Sequence, residues 1–177
     1  SCSRQGFIEA TSMPSPEELA QKLTSWVKEQ VTTANRRGVV VGLSGGLDSA
    51  VVAVLCKKAF PNATLGVLLP CHSISTDIDH ALLVARRFDI STVTVVLDKV
   101  FDTLLSLLPQ ERLEPAAQRL SEANLKPRLR MLALYYLANS RNYMVVGTGN
   151  RSEITVGYFT KYGDGGVDIQ PLGNLVK

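Results

Sequence analysis

The segment Gly38-Val-Val-Val-Gly-Leu-Ser-Gly-Gly-Leu-Asp-Ser49 joins an apolar run to a loop of small residues and then to the start of a helix. The β-branched residues at 39–41 favour a buried strand, and the glycines allow backbone N–H groups to approach an oxyanion closely. A helix that begins near Asp48 adds the positive end of its dipole. The segment therefore predicts an anion-binding strand–loop–helix unit, and the alternative is an ordinary turn. Its spacing is not GxxxxGK[ST], so γ-phosphate transfer is not indicated.

Helices and strands alternate along the rest of the chain. Ser15, Pro16 and Glu18 predict a helix that starts with a capping box, and we expect Gly38 to end that helix. Strands are predicted at 39–43, 63–69, 91–97 and 143–147, and helices at 48–59, 77–88 (with Phe88 facing inward), 99–108, 112–123 and 127–139. Because these strands lack polar alternation and are separated by helices, they predict an α/β fold, a doubly wound parallel sheet with helices on both faces.

Stretches rich in glycine or in polar and charged side chains follow three of the predicted strands. They cover residues 44–49, 70–80 and 148–153. In an open parallel sheet, ligands bind beyond the carboxyl ends of the strands, where the strand order reverses. We therefore expect the three stretches to converge on one site.

The composition favours one folded domain over residues 15–177, preceded by a disordered or tag-like segment at 1–14. Cys2, Cys56 and Cys71 form no CxxC pair, so we expect reduced thiols, a cytoplasmic location and no zinc site. The net charge of +3 gives no reason to expect a nucleic-acid partner. No apolar run is long enough to predict a membrane partner.

Two further strings make a family resemblance specific. The loop at 44–49 resembles the SGGxDS loop of the ATP pyrophosphatase (PP-loop) superfamily. Gly147-Thr-Gly-Asn-Arg-Ser-Glu153 and Gly157-Tyr-Phe-Thr-Lys-Tyr-Gly-Asp-Gly-Gly-Val-Asp168 resemble NAD synthetases of the ammonia-dependent type. The stretches at 124–131 and 171–177 are similar to the same family. The resemblance implies an adenine nucleotide alpha-hydrolase-like, Rossmann-like fold.

The resemblance also implies a reaction. ATP adenylates deamido-NAD (nicotinic acid adenine dinucleotide), and ammonia attacks the activated carboxyl to give NAD, AMP and pyrophosphate, with Mg²⁺ as cofactor. This is the final step of NAD biosynthesis. The alternatives are another adenylating PP-loop enzyme, of the GMP synthetase or tRNA-thiolating type, or a non-catalytic ATP-binding module. The string at 157–168 speaks against the first alternative, and the Asp48–Glu153 pair speaks against the second.

The family's site residues are carried over position by position. The resemblance assigns ATP binding to Gly42, Leu43, Ser44, Gly45, Gly46, Leu47, Asp48, Ser49, Thr148 and Lys177, with Asp48 and Lys177 as catalytic residues. It assigns deamido-NAD binding to Arg128, Lys161 and Asp168, and Mg²⁺ binding to Asp48 and Glu153. Without the resemblance, Asp48 is equally a helix cap, Glu153 is an exposed acid at a helix start, and Arg128 belongs to a solvated helix face.

Further expectations concern the oligomeric state, the extent of the domain, the source of ammonia and the two histidines. The resemblance implies a homodimer. The helix at 127–139 is apolar around much of its circumference, which favours a dimer through this helix over a helix buried within the monomer. We expect the catalytic domain to continue beyond Lys177, and ammonia to be free or supplied by a separate glutaminase chain. His72 and His80 are interpreted as loop and surface residues. Many relatives read GTxHxxE where this chain has GTGNRSE at 147–153.

Overall fold

The computed structural model describes residues 14–109, 114–155, 157 and 159–175. In chain order the elements are α1 (Pro16–Thr33), β1 (Gly38–Gly42), α2 (Leu47–Ala59), β2 (Thr64–Leu68), α3 (Ser75–Arg87), β3 (Ser91–Thr94), α4 (Asp98–Leu107), α5 (Pro115–Arg141), β4 (Tyr143–Val146) and α6 (Arg151–Thr155). The four strands form one parallel sheet in the order β3-β2-β1-β4. The predicted α/β fold is confirmed.

Alternate side chains of strand β1 are buried on opposite faces of the sheet. Val39 and Val41 pack with α1, α2 and α3, whereas Val40 packs with α4 and α5. Successive side chains of a strand point to opposite faces, so each face of the sheet carries its own apolar layer. Helices therefore cover both faces, as the unbroken valine run predicts.

The strand order reverses beside β1. The chain passes from β1 outward through β2 to β3, and α5 then returns it to the other side of β1, where β4 pairs in parallel register from Gly38–Tyr143 to Val41–Val146. The loops that follow β1 and β4 therefore flank the reversal, which is where open α/β sheets bind ligands.

The start of α1 is as predicted, but its end is not. The Ser15 hydroxyl accepts a hydrogen bond from the Glu18 amide (3.2 Å), and the Glu18 carboxylate accepts one from the Ser15 amide (3.0 Å). Gly38 does not end this helix. Instead Asn35 adopts φ +54° just after it, because a short polar side chain tolerates the left-handed conformation. Gly38 opens β1, where an added Cβ would lie 2.3 Å from the carbonyl oxygen of Ala63.

The two helices predicted at 112–123 and 127–139 are one continuous helix in the described range, and Pro127 lies inside it. A proline removes one helical hydrogen bond and crowds the preceding turn, which is why the sequence favours a break. However, α5 packs along β1 and β4 and buries Leu129 and Ala138, and this tertiary packing outweighs the local cost.

Two smaller predictions also need correction. Regular β3 ends at Thr94 rather than 97, because it is a largely exposed edge strand, although the amide of Val95 still donates to the carbonyl of Leu68. Phe88 caps the end of α3 and is exposed rather than inward-facing, while Ala81 and Ala85 are buried as expected. Among the described residues, no helix has both the length and the apolar character that a membrane crossing requires.

Candidate active site

Gly45 gives the loop after β1 its shape. Its φ of +83° lies in the region that side chains rarely adopt, and an added Cβ would lie 2.4 Å from the carbonyl oxygen of Asp77 on α3. The loop therefore passes directly against the backbone of α3. Only glycine fits this position without movement of one of the two segments.

Two serines fix the rest of the loop. The buried Ser49 hydroxyl donates to the carbonyl of Gly46 (2.9 Å) and lies 3.0 Å from the Ser44 hydroxyl, which accepts from the Gly46 amide (3.2 Å). The loop is thereby folded around the start of α2. Gly46 is the N-cap residue of the 13-residue helix and makes no side-chain cap. The first turn of this helix lines a cavity through Leu47, Asp48 and Ser49. Such a helix start suits an anionic ligand.

Asn150 connects the loop after β1 with the loop after β4. Its side-chain amide donates to the Asp48 carboxylate (3.1 Å), and its side-chain oxygen accepts from the Glu153 amide (3.1 Å). The Glu153 carboxylate in turn accepts from the backbone amide of Asn150 (3.3 Å). The two predicted metal-binding carboxylates, which are far apart in sequence, are thus held in one cleft.

Two adjoining cavities open at this edge of the sheet. The first, of about 350 Å³, is lined by Ser44, Gly46, Leu47, Asp48, Ser49, Thr148, Gly149, Glu153, Phe159, Asp164, Gly165 and Gln170. The second, of about 370 Å³, has a more apolar wall that includes Gly42, Leu43, Pro70, Ser73, Asp77, Arg130, Met131, Leu134 and Thr148. Ser44, Thr148 and Asp164 line both cavities. The convergence predicted for 44–49, 70–80 and 148–153 is therefore present, with a polar and an apolar compartment side by side.

The polar cavity contains two carboxylates, those of Asp48 and Glu153, which are donors of the kind that Mg²⁺ takes. The described residues include no group of three or more histidine, cysteine, aspartate or glutamate side chains placed to hold a metal. Mg²⁺ typically takes one or two protein carboxylates and completes its shell with water and substrate phosphates. Asp48 and Glu153 would supply such a pair beside the glycine-rich loop.

Of the predicted deamido-NAD residues, Arg128 lies on α5, and Lys161 and Asp168 lie in the segment that follows α6. None of the three lines either of these two cavities within the described part of the chain. The Arg128 side chain donates to the carbonyl of Lys161 (3.2 Å), and the Tyr135 phenol donates to Asp168 (2.9 Å). Arg128 and Tyr135 are seven residues apart on α5, and their partners Lys161 and Asp168 are also seven residues apart. The segment 161–168 therefore runs alongside two turns of α5. Lys177 lies outside the described residues.

Asp168 has a clear structural task. One oxygen of its carboxylate accepts from the backbone amide of Val145 (2.8 Å), and the other accepts from the Tyr135 phenol. Burial, and to a lesser extent the Asp168 carboxylate, raises the pKa of the Tyr135 phenol to about 12. These two hydrogen bonds attach Asp168, at the end of the segment 161–168, to both β4 and α5.

We expect the free energy of unfolding to fall between about pH 10 and pH 12 through Tyr135. In this window the unfolded chain has released the phenol proton while the folded chain retains it, so rising pH favours unfolding. Tyr135→Phe should give a shallower decline in urea unfolding followed by circular dichroism. Tyr162→Phe, at an exposed position outside α5, should keep the wild-type slope. Equal slopes for wild type and Tyr135→Phe would contradict this assignment.

The sequence pointed to other side chains less clearly. Arg130 donates to the carbonyl of Leu69 (3.0 Å) and lines the apolar cavity, although its sequence context, like that of Arg128, favours a solvated helix face. His72 lies 2.8 Å from the Asp102 carboxylate and is a loop residue, as expected. Cys56 is buried, as expected, and burial raises the pKa of its thiol to about 12. Phe159, which lies within the string at 157–168 but has no role assigned to it there, and Gln170, which lies outside it, line the polar cavity because the tertiary fold brings them there.

The chain is similar to known proteins of one family. The model of the family described as NAD synthase matches residues 19–177. A curated NH(3)-dependent NAD(+) synthetase from Carboxydothermus hydrogenoformans is 49% identical over 161 residues, which cover 91% of this chain and 66% of the relative. One from Methanocaldococcus jannaschii is 44% identical over 169 residues, which cover 92% of this chain and 63% of the relative. The chain thus spans slightly less than two thirds of these relatives.

Solved structures show the same similarity. An NH3-dependent NAD synthetase from Campylobacter jejuni superposes with a TM-score of 0.83 at 31% identity, covering 91% of this chain and 68% of that one. A structure titled NMN synthetase, from Francisella tularensis, superposes with a TM-score of 0.82 at 35% identity, covering 92% of this chain and 66% of that one.

Proposed function

The chain belongs to the NAD synthase family, and from this premise we propose that it takes part in the ATP-dependent amidation of deamido-NAD with ammonia. One observation carries the proposal: Asp48 and Glu153 meet through Asn150 beside a glycine-rich loop at the start of α2. A polyphosphate needs both features, because its charge must be met by backbone donors and by a cation.

The reaction divides into two balanced steps. A carboxylate oxygen of the pyridine attacks the α-phosphorus of ATP, and the bond to the β-phosphate breaks to release pyrophosphate. Ammonia then attacks the acyl carbon, and AMP leaves with the oxygen that bridged the two groups; the nitrogen loses a proton to solvent. Adenylation is needed because a free carboxylate would have to expel oxide.

The loop and the start of α2 bind and orient the phosphates in this proposal. Hydrogen bonds among Ser44, Gly46 and Ser49 fix the shape of the loop. The apolar cavity beside the loop offers space for the nucleoside. Asp48 and Glu153 would hold Mg²⁺, which supplies neutralisation of the phosphate charge when it is bound. Closure around the activated acyl group must exclude water, so that ammonia is the nucleophile.

Arg128, Lys161 and Asp168 remain the proposed contacts of deamido-NAD, and Lys177 the proposed phosphate contact. We also propose that the folded domain is the region 15–177 and that the protein acts in the cytoplasm. Free ammonia, or ammonia from a separate glutaminase chain, is the proposed nitrogen source.

The products of a single incubation test the proposal. With ATP, Mg²⁺, ammonium and deamido-NAD, we expect AMP, pyrophosphate and NAD in equal amounts, and none of them when deamido-NAD is left out. Formation of ADP would contradict the proposed chemistry. A second candidate function is amidation of the pyridine mononucleotide that forms half of deamido-NAD, which is favoured by the similarity to the structure titled NMN synthetase. A parallel incubation with this mononucleotide in place of deamido-NAD tests it. Faster turnover of the mononucleotide would reassign the acceptor and keep the chemistry.

We further propose a homodimer through α5. Leu132 and Tyr136 lie one turn apart on this helix and are 60% and 75% exposed, which places two large apolar groups on one outward-facing stripe. Association of two copies through this stripe would cover it.

Leu132→Asp should therefore shift the protein from dimer to monomer in sedimentation experiments, because it places a charge at the centre of the apolar contact. Leu83→Asp on α3 is the matched control, since Leu83 is 66% exposed and lies on another helix. It should leave the dimer intact. A wild-type protein that sediments as a monomer at high concentration would contradict the proposed interface.

A further inference from the structure

We propose that Asn150 is a positioning residue that orients Asp48 and Glu153 toward a divalent cation; the inference rests on the proposed function. Asn150 is only 3% exposed, although an asparagine side chain is usually found in contact with solvent. Its side-chain nitrogen donates to Asp48 and its side-chain oxygen accepts from the Glu153 amide, so the side chain contacts both segments that flank the reversal of strand order. No role is assigned to this position by the family resemblance used above.

The contact with Asp48 distinguishes this role from simple helix capping. The side-chain oxygen of Asn150 accepts from the Glu153 amide, which an N-cap residue of α6 would do in any case. The side-chain nitrogen donates instead to Asp48 on α2, a different element of the fold. This second bond adds nothing to the cap of α6, so capping alone does not account for it.

The chemistry of the amide suits the task. The Glu153 N–H can face only an acceptor and the Asp48 carboxylate can accept only from a donor, so the two partners fix the orientation of the amide. A lysine or arginine in this place would cancel the negative charge that a cation needs. An aspartate could not donate to Asp48 when ionised. The asparagine side chain holds the Asp48 carboxylate and the backbone amide of Glu153 without adding charge to the site, while the Glu153 carboxylate accepts from the backbone amide of residue 150.

Metal-site ligands generally depend on such outer partners. Removal of a group that orients a ligand costs about 10–100-fold in metal affinity or activity. We therefore expect Asn150→Ser to weaken Mn²⁺ binding by about tenfold. Serine still accepts from the Glu153 amide as an N-cap, but its shorter side chain cannot also donate to Asp48.

The experiment measures Mn²⁺ binding by electron paramagnetic resonance in the presence of α,β-methylene ATP, an analogue that is not cleaved between these phosphates. Asn150→Ser should weaken Mn²⁺ binding through the loss of the bond to Asp48, and Asn150→Ala, which also loses the bond to the Glu153 amide, should weaken it at least as much. Only Asn150→Ala should also lose the cap and show the lower thermal midpoint. Ser15→Ala, which removes the cap of α1, should lower the midpoint and leave Mn²⁺ binding unchanged.

The possible outcomes separate the two proposals. Unchanged Mn²⁺ binding by Asn150→Ser, or binding that follows the thermal midpoint across all three variants, would overturn the positioning role alone. Failure of the wild-type protein to bind Mn²⁺ with the analogue would overturn the proposed metal site and this inference with it.

Discussion

We expect Asp48→Asn to reduce the formation of AMP from ATP at least a hundredfold while the protein stays folded. Stabilisation of phosphate charge by a bound metal contributes several kcal/mol to such reactions, and about 2.7 kcal/mol corresponds to a hundredfold in rate. Asparagine has nearly the same shape as aspartate and retains an oxygen that can accept from Asn150. The loss should therefore come from the missing charge, and the measurement is the rate of AMP formation at saturating ATP.

Asp79→Asn is the matched control for this experiment. Asp79 lies on the exposed part of α3 and lines neither of the two cavities within the described residues. The control removes the same charge from the protein and should keep wild-type activity. Wild-type activity of Asp48→Asn would contradict the metal-binding role, and equal losses in both variants would point to net charge instead.

The second large effect is expected from Gly45→Ala. A non-glycine residue in the left-handed region costs about 1–2 kcal/mol. Here the new Cβ would also lie 2.4 Å from the carbonyl oxygen of Asp77, so the loop or the start of α3 must move. We expect ATP affinity, measured by calorimetry, to fall at least about tenfold, which corresponds to about 1.4 kcal/mol, together with a lower thermal midpoint.

Gly157→Ala separates backbone strain from steric overlap. Gly157 has a φ of +67°, yet nothing lies within 4 Å of an added Cβ, so this variant carries the strain without the clash. It should lower the thermal midpoint less than Gly45→Ala and keep ATP affinity near the wild-type value. Equal affinities for Gly45→Ala and wild type would show that the loop does not need its close approach to α3.

Local patterns in the sequence were enough to predict the parallel sheet. The valine run at 39–41 is buried on both faces, and the Ser15–Glu18 capping box forms as expected. The prediction failed where packing overrides local preference. Pro127 favours a break, but α5 continues through it because the helix lies against β1 and β4. Phe88 was assigned to the core from helical spacing, although α3 ends one residue earlier.

The site could be predicted only in part for the same reason. Asp48 and Glu153 each follow a strand, so their convergence could be expected from topology. The bond from Asn150 to Asp48 could not, because nothing in either loop specifies which side chain crosses between them. Phe159 and Asp164 reach the polar cavity through a tight turn in which the Thr160 amide donates to Asp164 (2.6 Å), a local geometry that composition does not reveal.

Transfer of an oxygen atom from deamido-NAD to AMP tests the central claim most directly. The proposed mechanism makes the pyridine carboxylate attack the α-phosphorus, so one carboxylate oxygen must leave with AMP. With deamido-NAD labelled with ¹⁸O at both carboxylate oxygens, mass spectrometry should find one ¹⁸O in each AMP and one in the amide of each NAD. Unlabelled AMP, or label in the phosphate formed together with ADP, would contradict the proposal that this chain activates a carboxylate by adenylation.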